Sequence, residues 1–262
     1  SGLGTLYWEN AEGLKHAAAL FAASSTDAAH ELVRRFGVTH IVFFSWDPFE
    51  VALTKLFRGV PVDAPIPPDT FIVKLLGSPV PPPWLRAIPF ILPNHTALEG
   101  QQIRIWEVTP DQTPAEAAAH AANYYLETGK PDPANQIASI LAGFGGDLGA
   151  TVMLAGIESR QQDSAAFSAA LARIIARLPQ AESLPLDDHI HLVVVLAIGQ
   201  RMELAREQLR SCVKKADERS LRHLTPGTLS DLLSLCDALG VDLPDPALKR
   251  LAQRLVPPLR RK

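Results

Sequence analysis

Two rhythms of apolar and polar positions divide this chain. Up to about residue 110 the pieces alternate in kind. "EGLKHAAALFAA" and "STDAAHELVRRFG" carry apolar side chains at helical spacing, whereas "THIVFFS" is a nearly unbroken β-branched and aromatic run. The spacing predicts two helices, the second opened by Ser25 or Thr26 and stopped by Gly37, and then a strand buried on both faces. "LGTLYW" reads as extended. "QIRIWEV" reads as an alternating strand with Ile103, Ile105 and Glu107 on one face and Arg104, Trp106 and Val108 on the other. These pieces assemble most naturally into a small α/β, βαβ-like domain over residues 3–110.

After Thr109 the pattern predicts only helices. "TPAEAAAHAANYYLETG" opens with Thr113 as cap, Pro114 in the first turn and Glu116 completing a capping box, and a polar residue before Pro recurs at Asp132-Pro133, Thr225-Pro226 and Asp245-Pro246. Three hairpins follow: "LGATVMLAGIESRQQ" with "SAAFSAALARIIARL", "DDHIHLVVVLAIGQR" with "ELAREQLRSCVKKA", and "GTLSDLLSLCDALG" with "DPALKRLAQRLV". Their spacing of about 40 residues is close to that of helical repeats and resembles tetratricopeptide-like arrays, although it exceeds their 34 residues and their full consensus is absent. The fold class expected is therefore α+β overall, with an all-α, tetratricopeptide-like helical-hairpin domain over residues 111–262.

Composition sharpens this picture. Eleven of the 22 prolines fall between Pro48 and Pro93, so after a short "PFEVALTKLF" helix the stretch "SPVPPPWLRAIPFILP" should be a largely irregular connector with apolar side chains pinned to the domain. With 262 residues, 47% hydrophobic and 20% charged, the chain can bury a core in each domain. Net charge is −3, and the basic tail "LRRK" is too short and aromatic-poor to suggest nucleic acid. Cys212 and Cys236 read as small core residues without metal-ligand spacing. No apolar run of 18 residues and no signal-peptide pattern occurs, and the opening Ser-Gly reads as the remnant of a cleaved tag on a piece of a longer protein.

Candidate chemistry is sparse. Asp47, in "SWDPFE" at the end of the predicted strand, is placed either as a catalytic carboxylate or as the cap of the next helix. Capping has the stronger argument, with Pro48 first in the helix and Glu50 third. Tyr7, Trp8, Glu9 and Asn10 combine aromatic faces with planar polar groups, as sugar sites do, but a strand end followed by a cap at Asn10 is the stronger reading. The histidines do not converge, and His189 and His191, two apart on a helix, point to different faces. No phosphate loop, zinc spacing, nucleophile elbow or dinucleotide fingerprint occurs. "GFGGDLG" reads as an interhelical turn, and "NHT" at 94–96 is a glycosylation triplet short enough for chance. No cofactor or metal is expected.

The order "LYWENAEGLKHAAALF", "DAAHELVRRFGVTHIVFF", "PPPWLRAIPF", "QIRIWEV" resembles the soluble part that follows the last membrane helix in bacterial multi-pass proteins similar to polyprenyl-phosphate-sugar-dependent glycosyltransferases, the group of oligosaccharyltransferases and protein mannosyltransferases. The resemblance covers residues 3–110. It implies a non-catalytic domain on the extracytoplasmic, periplasmic face of the inner membrane, partnered by the membrane-embedded remainder of the same protein and positioning a protein or glycan acceptor. The family's catalytic acids lie near membrane helices that this chain lacks. "SWD" is similar to the acceptor-binding Trp-Trp-Asp motif, but Ser45 replaces the first Trp and Pro48 and Phe49 the following Tyr-Gly, so that role is not carried onto Asp47. Two alternatives stay open. One is a self-contained carbohydrate-binding or hydrolytic module with a pocket around Tyr7, Trp8, Glu9, Asn10, His40, Trp46 and Asp47. The other is a cytoplasmic helical-repeat adaptor, if no membrane segments lie upstream.

Overall fold

The computed structural model of the chain describes residues 11–90, 99–110 and 112–256. The expected strand at 3–8, the polar-aromatic group Tyr7, Trp8, Glu9 and Asn10, and the triplet at 94–96 lie outside them. Two compact units divide between Tyr124 and Tyr125, inside a helix. Among the described residues no helix is long and apolar enough to cross a membrane.

The first unit holds α1 (Ala11–Phe21), α2 (Thr26–Phe36), β1 (His40–Phe44), α3 (Phe49–Phe57), α4 (Phe71–Gly77), β2 (Leu85–Ile88) and β3 (Ile103–Val108). Ser25 Oγ accepts from Ala28 N at 3.0 Å and Gly37 ends α2 at φ 63°, both as the sequence predicts. The strands form one antiparallel sheet in the order β1-β3-β2. His40 pairs with Glu107 and Leu85 with Val108, both antiparallel, whereas the first strand of the expected βαβ unit lies outside the described residues. β1, at one end of the sheet among the described strands, buries only Ile41 fully, so the run read as buried on both faces is half-covered. The described part of the proline-rich connector is largely irregular as expected, with one short strand, Leu85–Ile88, that pairs with β3. Its pinning residue is Trp84, buried between the rings of His30 at 4.7 Å and Phe71 at 5.6 Å. The faces of β3 are as expected: Trp106 is buried and Arg104 Nη1 donates to Leu76 O at 3.1 Å.

Helix α5 (Pro114–Glu127) carries the predicted capping box, with Glu116 N bonded to Thr113 Oγ1 at 3.2 Å and Thr113 N to Glu116 Oε2 at 2.7 Å. The second unit continues with α6 (Pro131–Ala142), α7 (Leu148–Arg160), α8 (Ser164–Ile175), a 3-10 turn at Leu178–Ser183, α9 (Leu186–Ile198), α10 (Met202–Val213), α11 (Glu218–His223), α12 (Pro226–Leu239) and α13 (Pro246–Leu255). Thr225 and Asp245 cap α12 and α13 as predicted. Asp132 does not cap α6, because the helix begins at Pro131, two residues before Pro133.

The helices pair as α7 with α8, α9 with α10 and α12 with α13, and α9 lies against both α7 and α12. Burial of Ile190, Leu192, Val193, Val195 and Leu196 around α9 makes it the central helix of this core. One backbone device closes all three hairpins. A left-handed residue, Gln162 at φ 60°, Gln200 at φ 57° or Gly240 at φ 63°, ends the first helix. The next N–H then returns to the carbonyl five residues back: Asp163 to Glu158 at 3.3 Å, Arg201 to Leu196 at 2.9 Å and Val241 to Cys236 at 3.0 Å. Small residues permit the close approaches. A Cβ on Gly199 would lie 2.4 Å from Leu171 Cδ2, and one on Gly149 would lie 2.9 Å from Asp188 Oδ2.

Candidate functional site

The described residues singled out in the first unit do not meet. His40 opens β1 and is exposed, bonded to Thr39 Oγ1 at 3.1 Å. Trp46 and Asp47 lie past the other end, on the order of 15 Å away along the strand. Trp46 is 42% exposed and tilts against Phe44 at 5.2 Å. Asp47 Oδ1 accepts from Phe49 N at 2.9 Å, so the capping function stands with a shift of one position: α3 starts at Phe49, with Pro48 before it. Glu50, expected to help cap, turns inward instead. Its Oε2 is buried without a hydrogen-bond partner, and burial pushes its carboxyl up, with the charge of Asp47 adding to the effect.

The richer polar chemistry lies in the second unit. His189 is fully buried; its Nδ1 faces Lys215 Nζ at 3.1 Å and its Nε2 faces Gln208 Oε1 at 3.1 Å. Because the ammonium only donates and the amide oxygen only accepts, the ring is neutral and carries its proton on Nε2. Lys215 also donates to Leu184 O at 2.9 Å and Ala181 O at 3.4 Å. Burial pushes the imidazole below its ordinary range, against the bond to Gln208, and Lys215 adds to the depression. All these bonds tie α9, α10 and the 3-10 turn together. Cys212, buried beside them, has its thiol pushed up to about 12 by burial, which makes it inert rather than nucleophilic.

A second polar group gathers at the start of α12. The Glu127 carboxylate accepts from Thr225 Oγ1, from Gly227 N at 3.2 Å and from Thr228 Oγ1 at 3.5 Å, and Thr228 Oγ1 lies 3.4 Å from His191 Nε2. A carboxylate at a helix N-terminus satisfies amides that have no intrahelical partner. Gly227 lets the carboxylate sit this close: a Cβ would lie 2.5 Å from Glu127 Cδ and would force that side chain to shift. Asp231, one turn on, reaches solvent. Surrounding protein nevertheless raises its carboxyl, Glu127 pushes the same way, and Arg160 pulls it back. His189 and His191 thus face different neighbours, as their spacing requires.

Clefts open on the surface of both units. A groove of about 580 Å³ in the first unit is floored by Ala19, Ala22, Ala23 and Ala28 and edged by Phe57 and Arg58. In the second unit, a cleft of about 290 Å³ is lined by Phe167, Leu171 and Ile198 together with Ser168, Gln200 and Arg201. A third, of about 240 Å³, combines charge with an apolar base: Leu126, Pro131 and Ile157 meet Lys130, Asn135, Arg160 and Gln161. Gln161 Nε2 donates to Asn135 Oδ1 at 2.7 Å across it. This is the candidate site, and nothing in the linear pattern marks it. Its residues come from the α5–α6 turn, α6 and the end of α7, and no short motif spans them.

No protein-family model, curated protein or solved structure matches this chain. Function therefore rests on the residues themselves.

Proposed function

We propose that this chain is a non-catalytic binding module, the soluble extracytoplasmic part of a bacterial membrane protein of glycosyltransferase type, with a small α/β-type domain and a tetratricopeptide-like domain that positions a partner or acceptor polypeptide. One observation carries this reading: three hairpins closed by the same left-handed turn, with their first helices α7, α9 and α12 side by side. Arrays of this kind present extended surfaces suited to polypeptide ligands. Catalysis finds less support, because Asp47 serves α3, His189 is consumed by Lys215 and Gln208, and Glu127 by α12.

Two measurements test the reading. The native gene upstream of Leu3 should encode several apolar segments of about 20 residues; their absence would remove the membrane partner. The chain should give no turnover on a panel of aryl glycosides and esters. Turnover that disappears in Asp47→Ala would replace binding by catalysis.

A further inference from the structure

We propose that the cleft between the α5–α6 turn and the end of α7 binds a carboxylate attached to a small apolar body, the chemistry of the last residue of a polypeptide. The proposal rests on the reading of this unit as a binding module and gives that module a ligand class.

The chemistry of the walls sets the class. Leu126, Pro131 and Ile157 form an apolar base, and Arg160 and Lys130 bring two cations to one small opening. Arg160 makes no hydrogen bond or ion pair among the described residues. A guanidinium with its donors unspent suits a planar, two-oxygen anion, which it grips through two parallel bonds. The bond from Gln161 Nε2 to Asn135 Oδ1 fixes both amides and leaves Asn135 Nδ2 as a further donor.

The turn that frames the cleft is held by its own backbone bond. Gly129 is left-handed at φ 69°, Lys130 N donates to Tyr125 O at 2.8 Å, and Pro131 starts α6 at once. Preformed geometry lowers the ordering cost of binding.

Size narrows the ligand. At about 240 Å³ the cleft lies below the range of roughly 300–1,000 Å³ in which whole small molecules are usually enclosed. It fits one terminal residue, with the rest of a longer ligand running out over the helices.

One group opposes the anion. Asp231 lies near enough to Arg160 to feel its charge, and the carboxylate of Glu127 beside it is engaged with α12. A bound carboxylate competes with Asp231 for that guanidinium, so removing the competitor should help.

The test is a titration of the full chain, followed by amide NMR shifts, with N-acetyl-leucine and with a six-residue peptide ending in leucine, each also as its neutral C-terminal amide. Both acids should shift residues 126–161, and the amides should bind roughly tenfold more weakly. Arg160→Gln should weaken the acids by roughly tenfold, Arg160→Lys by less, and Asp231→Asn should tighten them by about two- to fivefold. A peptide that binds more tightly than acetyl-leucine points to a polypeptide terminus, and equal affinities point to a free carboxylic acid. Equal binding of acid and amide, indifference to Arg160→Gln, or no shift at millimolar ligand overturns the proposal. Such a failure without enzymatic turnover removes only this cleft, whereas turnover dependent on Asp47 removes the binding-module reading itself.

Discussion

Helices α3 and α9 both turn polar side chains into their own unit, and they treat them differently. In α9 the buried His189 meets a partner at each ring nitrogen, and the helix around it is apolar. In α3, Thr54 is buried and bonds back to Glu50 O at 2.7 Å, but Glu50 leaves one buried oxygen unbonded. The outward side of α3 is correspondingly apolar, with Leu56 75% and Phe57 55% exposed. A buried polar group is tolerated at little net cost when every atom is bonded, and it is a liability when one is not. The contrast is between these two side chains rather than between the units, since Glu158 Oε2 in the second unit is also buried without a hydrogen-bond partner.

The largest effect should follow from breaking the satisfied group. His189→Leu leaves the Lys215 ammonium and the Gln208 amide oxygen short of a partner, and should destabilise the second unit by about 2–4 kcal/mol. The measurement is convenient, because all four tryptophans, at positions 8, 46, 84 and 106, belong to the first unit. Urea denaturation followed by far-UV circular dichroism should show the loss, while the tryptophan fluorescence transition reports the first unit separately. A loss below about 1 kcal/mol would mean that packing alone holds α9 to α10.

The same residue sets a pH dependence. The unfolded chain takes up a proton on this imidazole near its ordinary value of 6.5, and the folded chain resists doing so until lower pH. Stability contributed by the neutral ring is therefore complete above 6.5 and is lost as pH falls from there through the folded value. Glu158 and Asp231, both raised by burial, work in the opposite direction, since a carboxyl that holds its proton longer when folded favours the fold as pH falls. The difference between the wild type and His189→Gln, measured from about pH 7.5 to about pH 5.5, isolates the histidine. A variant with the same acid sensitivity as the wild type would exclude it.

For α3 the sign reverses. Glu50→Met removes the unbonded buried oxygen, worth about 1–3 kcal/mol, and gives up a favourable charge in the first helical turn, worth about 0.3–1 kcal/mol. The desolvation effect is larger, so the first unit should gain about 1 kcal/mol, read by tryptophan fluorescence. A loss would show that Glu50 serves α3 as a dipole partner, as its third-position placement in the sequence suggested.

These contrasts explain what the linear pattern could and could not convey. Capping is local, so Thr113 with Glu116, Ser25, Thr225 and Asp245 were all legible, as were the three hairpins from their periodicity. Sheet topology is not local: "THIVFFS" looked doubly buried because its side chains say nothing of whether β1 is central or at an edge. Leu85–Ile88 was hidden by the prolines around it. The candidate cleft was out of reach for the same reason, because Arg160 and Asn135 become neighbours only when α6 and α7 pack. Glu127 meets Thr225 from 98 residues away, and the one local trace of that contact is a glycine directly after the capping proline.

The smallest effect probes the shared turn. A left-handed conformation costs a side-chain-bearing residue about 1 kcal/mol or more and glycine almost nothing. Two of the three hairpins nevertheless use glutamine there, and the third uses Gly240. Gln162→Gly and Gln200→Gly should each stabilise the second unit by about 0.5–1 kcal/mol, after allowing for the extra freedom glycine gives the unfolded chain. Gly240→Gln should cost a similar amount, and the cost would be purely conformational, since a Cβ at that position meets nothing within 4 Å. If all three changes fall on one scale when read by circular dichroism, the hairpins share one turn energetically as well as geometrically. If Gln162 or Gln200 instead proves better than glycine, its side chain is bound to something at the turn.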